Sequence, residues 1–322
     1  MNHKTESDVK KTIKIVLPGG AGLVGQNLVA RLRDRGYHNI VVLDKHRSNL
    51  AVLQQVQPGL TCEHADLAQP GDWQRHIDDA DVVVMLQAQI GGVDYQDFQH
   101  NNVDATRLIL DTIKSCPTQP YLVHISSSVV ESVADDFYTR SKREQETLVL
   151  ESGIECPILR PTLMFGWFDR KHLGWLSRFM NKVPVFPIPG HGRYMRQPLY
   201  AGDFCAIIIS CIESRRGHGI YNISGHEKID YIDMIRDIKQ AIGSRTLILR
   251  IPYWLFYALL WTWARFDKNP PFTTQQLAAL TARDEFEVID WPGLFGVPYT
   301  PFKTAIHETF NDSRYSDVAL EF

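Results

Sequence analysis

The sequence predicts an α/β fold: a doubly wound parallel sheet with a smaller C-terminal domain. Three observations carry that prediction. Short, continuously apolar segments alternate with helical patterns through the first half of the chain. A glycine-rich turn joins the first of these segments to the first helix. An acidic residue, Asp44, closes the second segment about 20 residues farther on.

Taken in order, Ile13–Leu17 (IKIVL) reads as the first strand, Leu23–Arg33 as the first helix and Ile40–Leu43 as the second strand. Asp81–Leu86 (DVVVML) and Tyr121–Ile125 (YLVHI) are further strands, with Val103–Ile113 a helix between them. Strands apolar along their whole length are buried on both faces, which requires helices on both sides of a parallel sheet. After about Phe165 the pattern changes, and 166–197 is rich in Gly, Pro and aromatic residues. A strand–helix pattern returns over 198–224. The expected division is a nucleotide-binding domain over 12–165, rejoined by 198–224, and a substrate domain made of 166–197 and 225–322.

Of the 322 residues, 44% are hydrophobic and 22% charged, and the net charge is −3. That balance is globular and provides no basic field for nucleic acid, so a nucleic-acid role is excluded. The five cysteines form no CxxC pair and cannot all close into intrachain disulfides, which reads as a reduced, cytoplasmic protein. Met1–Lys11 lacks the apolar core of a signal peptide. The most apolar stretch, Ile251–Phe266 (IPYWLFYALLWTWARF), is shorter than the ~20 residues of a membrane span. It reads as a buried or partner-covered helix, with a helix lying in the membrane interface as the rival, since Trp and Tyr favour that zone.

Gly19, Gly22 and Gly25 follow the first strand with GxxGxxG spacing. A tight strand-to-helix turn needs residues without a Cβ. The close approach of backbone amides to a pyrophosphate needs the same, and the helix N-terminus then faces the anion. This is the context of a Rossmann dinucleotide site. A carboxylate at Asp44 accepts from the adenosine ribose and repels a 2′-phosphate, favouring NAD, although Arg47 nearby could accept such a phosphate. Asp66 and Leu67, after a short third strand, are placed beside the adenine.

Tyr138 and Lys142 read YxxxK, which puts phenol and ammonium on one helix face. A nearby cation is expected to lower the Tyr pKa toward working pH, so that the phenol exchanges a proton with a substrate hydroxyl or carbonyl. Ser126, Ser127 and Ser128 close the preceding strand, and Ser128 is taken as the hydroxyl that holds the reacting oxygen. No metal is called for.

With these motifs in place, the chain resembles the extended short-chain dehydrogenase/reductases, specifically the NAD-dependent epimerase/dehydratase group acting on nucleotide sugars. Further matches are Asn101-Asn102-Val103 with Thr106, Leu159-Arg160-Pro161 with Gly166, Arg196–Tyr200 with Asp203, and Tyr221–Gly225. They run from the glycine loop to beyond residue 225. The resemblance implies that Leu23 and Val24 contact the pyrophosphate through their backbone, and that Leu86, Gln87 and Ala88 line the middle of the cofactor. It implies that Lys142 also binds the nicotinamide ribose, that Asn102 and Pro161 stand at the cofactor end of the site, and that Arg196 meets the substrate diphosphate. It further implies a homodimer formed through a helix pair.

The departures narrow the chemistry. Nine residues separate Ser128 from Tyr138, where related nucleotide-sugar enzymes carry a longer insertion. This suggests a more open site. Val129 and Val130 stand where related 4,6-dehydratases have an Asp-Glu pair, so dehydration is not expected. Family 3,5-epimerase/reductases use a Cys just after the Ser, and none is present. Decarboxylating relatives need a Glu beside the Ser, whereas Glu131 is three residues away. What remains needs only Tyr, Lys, Ser and nicotinamide: epimerisation at C4 through a 4-keto intermediate, or NAD(P)H-dependent reduction of a 4-keto sugar. Ile251-Pro252-Tyr253, the aromatic helix, Phe295-Gly296-Val297 and Tyr299-Thr300-Pro301 resemble bacterial members that epimerise sugars on a polyprenyl diphosphate. That suits a protein peripheral at the inner face of the membrane. A non-catalytic NAD-binding structural subunit is the alternative of another class, and the retained Tyr138, Lys142 and Ser128 argue against it.

Overall fold

The computed structural model describes residues 12–133, 135–266, 273–281, 287, 289–318 and 320. Residues 1–11, read above as lacking a signal peptide, lie outside the described residues. Seven parallel strands make the central sheet. In chain order the first six are β1 (Ile15–Pro18), β2 (Ile40–Asp44), β3 (Thr61–His64), β4 (Val82–Met85), β5 (Tyr121–Ile125) and β6 (Pro157–Pro161). Four short strands then leave the sheet, β7 (Met164–Phe165), β8 (Val185–Pro189), β9 (Met195–Arg196) and β10 (Leu199–Tyr200), before β11 (Gly219–Ile223) rejoins it.

The order across the sheet is β11-β6-β5-β4-β1-β2-β3. Every residue of β1, β2 and β4 is buried, as their unbroken apolar sequences require, whereas β3 at the edge is partly exposed. Strand order reverses at β1, whose neighbours are β2 and β4. The two connections leave in opposite directions there, so their loops part and open a crevice at the carboxyl ends.

Each face of the sheet is covered by helices. Leu23–Asp34 and Ala201–Ser214 pack on one face, where Leu28, Leu32, Phe204 and Ile208 join a single core with β1. Ala105–Ser115 cores the other face through Ile109 and Ile113, beside Phe137–Glu151. The helix expected over Val103–Ile113 is thus α-helical from Ala105, and a π-helical turn, Gln99–Asp104, precedes it. Such a widened turn re-aims side chains, and here it carries Asn102.

The second half builds a smaller core. β12 (Ile229–Asp230) pairs antiparallel with β9, and β13 (Leu247–Ile251) pairs parallel with β8. Phe186, Ile188, Tyr231, Ile235, Phe302 and Ile306 fill the space beneath them. The C-terminal part does not stay in this unit. Trp291, Phe295 and Val297 join the core of the central sheet, where Phe295 meets the ring of Tyr221 edge-on at 5.1 Å. Trp291 Nε1 donates to Ser224 O at 3.1 Å. Because β11 is an edge strand, its apolar side needs a cover, and this segment supplies it. The boundary drawn over 225–322 is therefore crossed by a return to the nucleotide-binding half.

The apolar stretch at 251–266 becomes the end of β13 and a helix, Tyr253–Phe266, in which no residue is buried. Burial in this chain's own core is excluded. No helix among the described residues is long and apolar enough to cross a membrane. All five cysteines are free. Phe204 is fully buried between the sheet and Leu23–Asp34. Phe204→Ala is expected to lower the unfolding free energy by about 3–5 kcal/mol, read from denaturant titration.

Candidate active site

The glycine turn sits at the switch point. Gly19 has φ +75, and a Cβ on it would stand 2.3 Å from Gln87 Cα, so β1's turn is pressed against the residues that follow β4. A Cβ on Gly25 would stand 2.2 Å from Gly20 O, which sets how closely the helix meets the turn. Gly22 differs, because its Cβ would have no neighbour nearer than 3.8 Å. Space, not packing, is what a side chain there would fill. Leu23 and Val24 open the helix, and amides of a first turn have no intrahelical acceptor. The result is a cradle with converging N–H groups and a positive dipole end, suited to a pyrophosphate.

Asp44 braces this cradle. Its buried carboxylate accepts from Ala21 N at 3.0 Å and from His46 N at 2.9 Å. Leu86 N donates to Pro18 O at 2.9 Å, which ties the two strand ends together. Gln87 Nε2 donates to Thr106 Oγ1 at 3.1 Å, while Gln87 Oε1 is buried with no partner among the described residues. Ala88 is exposed, and Pro161 closes β6. Asp66 accepts from His100 Nε2 at 2.9 Å. Leu67 turns its side chain into the core with Trp73 and Ile77, which leaves Asp66 as the polar group at that edge. The open cradle, the braced carboxylate and the unpartnered amide oxygen fit a dinucleotide.

The helix Phe137–Glu151 begins at Asp136, whose carboxylate caps Thr139 N at 2.8 Å. One face carries Tyr138, Lys142, Gln145 and Glu146 toward β5. Lys142 is 1% exposed, and its Nζ donates to Ile125 O at 3.0 Å and to Gln145 Oε1. Gln145 Nε2 in turn donates to Thr106 Oγ1 at 2.8 Å. Asn102 Nδ2 donates to Ser141 Oγ at 2.8 Å, and Ser141 Oγ to Tyr138 O at 2.9 Å. Asn102 thus holds the start of the helix that carries the tyrosine.

One expectation is corrected. Ser128 begins the 3-10 turn Ser128–Glu131, and Ser127 is the extended residue before it, its Oγ accepting from Val129 N at 3.4 Å. A cation does not lower the Tyr138 pKa here. Burial raises it, the Ser127 hydrogen bond offsets this in part, and Asp136 raises it further. The ammonium is turned to Ile125 O and Gln145, and burial lowers the Lys142 pKa to about 7 against the opposing pull of Glu146.

Sequence reasoning missed the groups around this pair. His124 is wholly buried, and neither ring nitrogen has a partner among the described residues. Burial first, and the Lys142 charge second, hold its pKa well below the ordinary value, so it is neutral. Arg160 donates to Glu146 Oε2 at 3.1 Å and to Glu131 Oε1 at 2.6 Å, and Asn222 Nδ2 reaches Glu131 at 3.1 Å. Ser126 Oγ also donates to Glu146. The serine turn is therefore pinned to the helix and to β6 and β11. Only the alternation of polar residues inside an apolar strand and helix hinted at these groups. Arg196 lies apart from them, its guanidinium donating to Met195 O at 3.0 Å and to Leu280 O.

Gly25→Ala is expected to force the turn apart and lower NAD affinity by about tenfold or more, read by calorimetry. Lys142 predicts a pH effect in protein without added cofactor. Its folded pKa is about 7 and its ordinary value 10.5, so between them the unfolded chain binds more protons. This residue's contribution makes stability rise with pH across that window. The wild-type minus Lys142→Met difference in unfolding free energy should grow from pH 7 to pH 10.

The family model of the NAD dependent epimerase/dehydratase family matches residues 15–224. A UDP-glucose 4-epimerase of Vibrio cholerae is 22% identical over 276 residues, 77% of this chain and 82% of the relative. The mitochondrial NADH dehydrogenase (ubiquinone) 1 alpha subcomplex subunit 9 of Dictyostelium discoideum is 25% identical over 272 residues, 80% and 73% of the two chains. The crystal structure of a UDP-glucuronic acid 4-epimerase from Bacillus cereus, in complex with UDP-glucuronic acid and NAD, shares the fold with a TM-score of 0.66. It is 19% identical and covers 92% of this chain and 98% of its own. The family match spans more than half of the sequence, from β1 past the end of β11, and the chain belongs to the NAD-dependent epimerase/dehydratase family.

Proposed function

We propose that the protein epimerises a nucleotide-linked sugar at C4, with Tyr138 as the acid/base. The observation that carries this reading is that the serine turn beside the helix of Tyr138 offers no free carboxylate. Val129 and Val130 follow Ser128, and Glu131 is engaged by Arg160 and Asn222. Water elimination and decarboxylation would need a carboxylate there, whereas epimerisation needs a phenol and a hydroxyl.

NAD, when bound, would supply reversible hydride transfer at C4 of the sugar. The glycine cradle and the first-turn amides of Leu23 and Val24 hold its pyrophosphate, with Asp44 toward the adenosine ribose. Tyr138 takes the proton of the C4 hydroxyl as the sugar becomes a 4-keto sugar and gives it back once the sugar has turned over. Ser127, with Ser128 beside it, keeps the oxygen in line with the phenol. Protonated Lys142 favours the phenolate when its ammonium turns toward Tyr138 and the nicotinamide ribose. Arg196 meets the substrate diphosphate through its guanidinium, a charge-assisted pairing. Residues 166–197 and most of 225–322 form the substrate side. The same residues serve a 4-keto-sugar reductase, which differs in exchanging its cofactor each cycle.

A carrier lipid is the second form of the substrate. The apolar helix Tyr253–Phe266, in which no residue is buried, supports a cytoplasmic protein that meets the membrane surface and takes a polyprenyl-diphosphate sugar. The family resemblance favours a homodimer.

The test begins with denaturing the purified protein and chromatographing what it releases. Stoichiometric NAD or NADH supports the epimerase, and a cofactor-free protein that turns over only with added NAD(P)H supports the reductase. NAD binding without turnover of any UDP-sugar or polyprenyl-linked sugar would assign a structural subunit instead. Tyr138→Phe is expected to lower turnover about 10²–10⁴-fold with NAD still bound. Ser127→Ala should lower kcat more than Ser128→Ala does, and the reverse order would return the role to Ser128.

A further inference from the structure

We propose that β13 and the helix after it form a docking surface for a membrane rich in anionic phospholipid, with a cation-lined cavity receiving the phosphate headgroups. This deepens the membrane-facing reading above and is independent of which sugar reacts. The helix Tyr253–Phe266 has no buried residue, and Trp254 is 70% and Phe266 88% exposed. Leu259, Trp261 and Trp263 are also more than half exposed. The helix contains no acidic residue, and its one cation, Arg265, lies over the ring of Trp261 at 4.2 Å. Only Leu255, Phe256 and Leu260 are half-buried, so a single narrow strip rests on the protein.

A run of exposed apolar side chains of this kind marks an interaction surface. The helix's 14 residues would extend about 21 Å, short of the ~30 Å hydrocarbon layer. It is suited to lie in the interface plane, where Trp and Tyr are most stable.

β13 connects this helix to the cations. Leu247 and Leu249 on the strand are exposed and extend the apolar surface. Arg250 lines a cavity of about 610 Å³ with Arg236, Lys239, Gln240 and Ser244. Arg236 pairs with Asp233 at 2.7 Å, whereas Lys239 and Arg250 have no ion pair with a described residue. Arg245, also exposed, stands in the turn before the strand. Cations beside an exposed apolar helix complement an anionic lipid surface. A second copy of this chain would bring like charge to the same cavity and no acidic partner on the helix.

The experiment is vesicle co-sedimentation of the full chain with NAD present, using phosphatidylcholine vesicles with and without phosphatidylglycerol. Turnover of a soluble UDP-sugar is followed in parallel. The chain should sediment with the anionic vesicles and much less with the neutral ones. Trp254→Glu with Trp263→Glu should weaken binding about tenfold or more. Arg250→Glu and Lys239→Glu should each weaken it about fivefold or more, with less effect at high salt. Melting curves and UDP-sugar turnover should stay unchanged in these surface variants. The proposal is overturned if NAD-bound protein stays in the supernatant with anionic vesicles, or if it binds neutral and anionic vesicles equally. It is equally overturned if sedimentation equilibrium shows a dimer that the tryptophan substitutions dissociate, because the helix would then be a subunit seam. Vesicle binding without sugar turnover leaves this surface standing and removes the epimerase reading alone.

Discussion

The site is organised around a lysine ammonium buried between a helix and a parallel strand. Burying a charge is costly unless its hydrogen bonds are met. Lys142 is met by the carbonyl of Ile125 and by Gln145, and Gln145 is held by Thr106 on the next helix. These bonds lock Phe137–Glu151 against β5 in one rotation and one register. Tyr138, one turn earlier, is thereby carried on the helix that packs against the serine turn. Burial lowers the Lys142 pKa, so the charged state is disfavoured there. A group so poised responds strongly to a ligand that arrives beside it.

Two further constraints make this geometry usable. The serine turn is tied by the Arg160 pairs with Glu131 and Glu146, so the hydroxyls cannot drift from the phenol. The same pairs consume the carboxylates that would otherwise broaden the chemistry. On the other side of β4, the close approach of Gly19 to Gln87 brings the dinucleotide cradle up to the strand end. The glycine turn and the helix Phe137–Glu151 therefore meet the same strand end, where Gln145 Nε2 reaches Gln87 O at 3.5 Å.

The second half of the chain is less self-contained. Its core of Phe186, Tyr231 and Phe302 is separate from the sheet's, yet Trp291 and Phe295 leave it to cover the β11 edge. Trp167 and Phe168 likewise pack with Tyr315 and Ala30 of the first helix. These crossings couple the substrate side to the nucleotide side. They leave Tyr253–Phe266 resting on the described residues by a narrow strip alone, so most of its apolar side chains look outward.

By itself the sequence determined the α/β class, the glycine cradle and the order of Ser, Tyr and Lys, because each depends on local spacing. A turn without Cβ atoms, a period of four on a helix and unbroken apolar strands are all properties of neighbouring residues. Only the tertiary structure decided that Leu67 belongs to the core and that Lys142 is turned to Ile125 and Gln145. Those outcomes depend on which backbone arrives from elsewhere: β5 against the helix Phe137–Glu151, Thr106 from the helix before it, Arg160 from β6. The fate of the aromatic stretch at 253–266 was undecidable from composition for the same reason. An apolar helix is buried or exposed according to what the rest of the chain packs against it, and here the chain offers only a narrow strip.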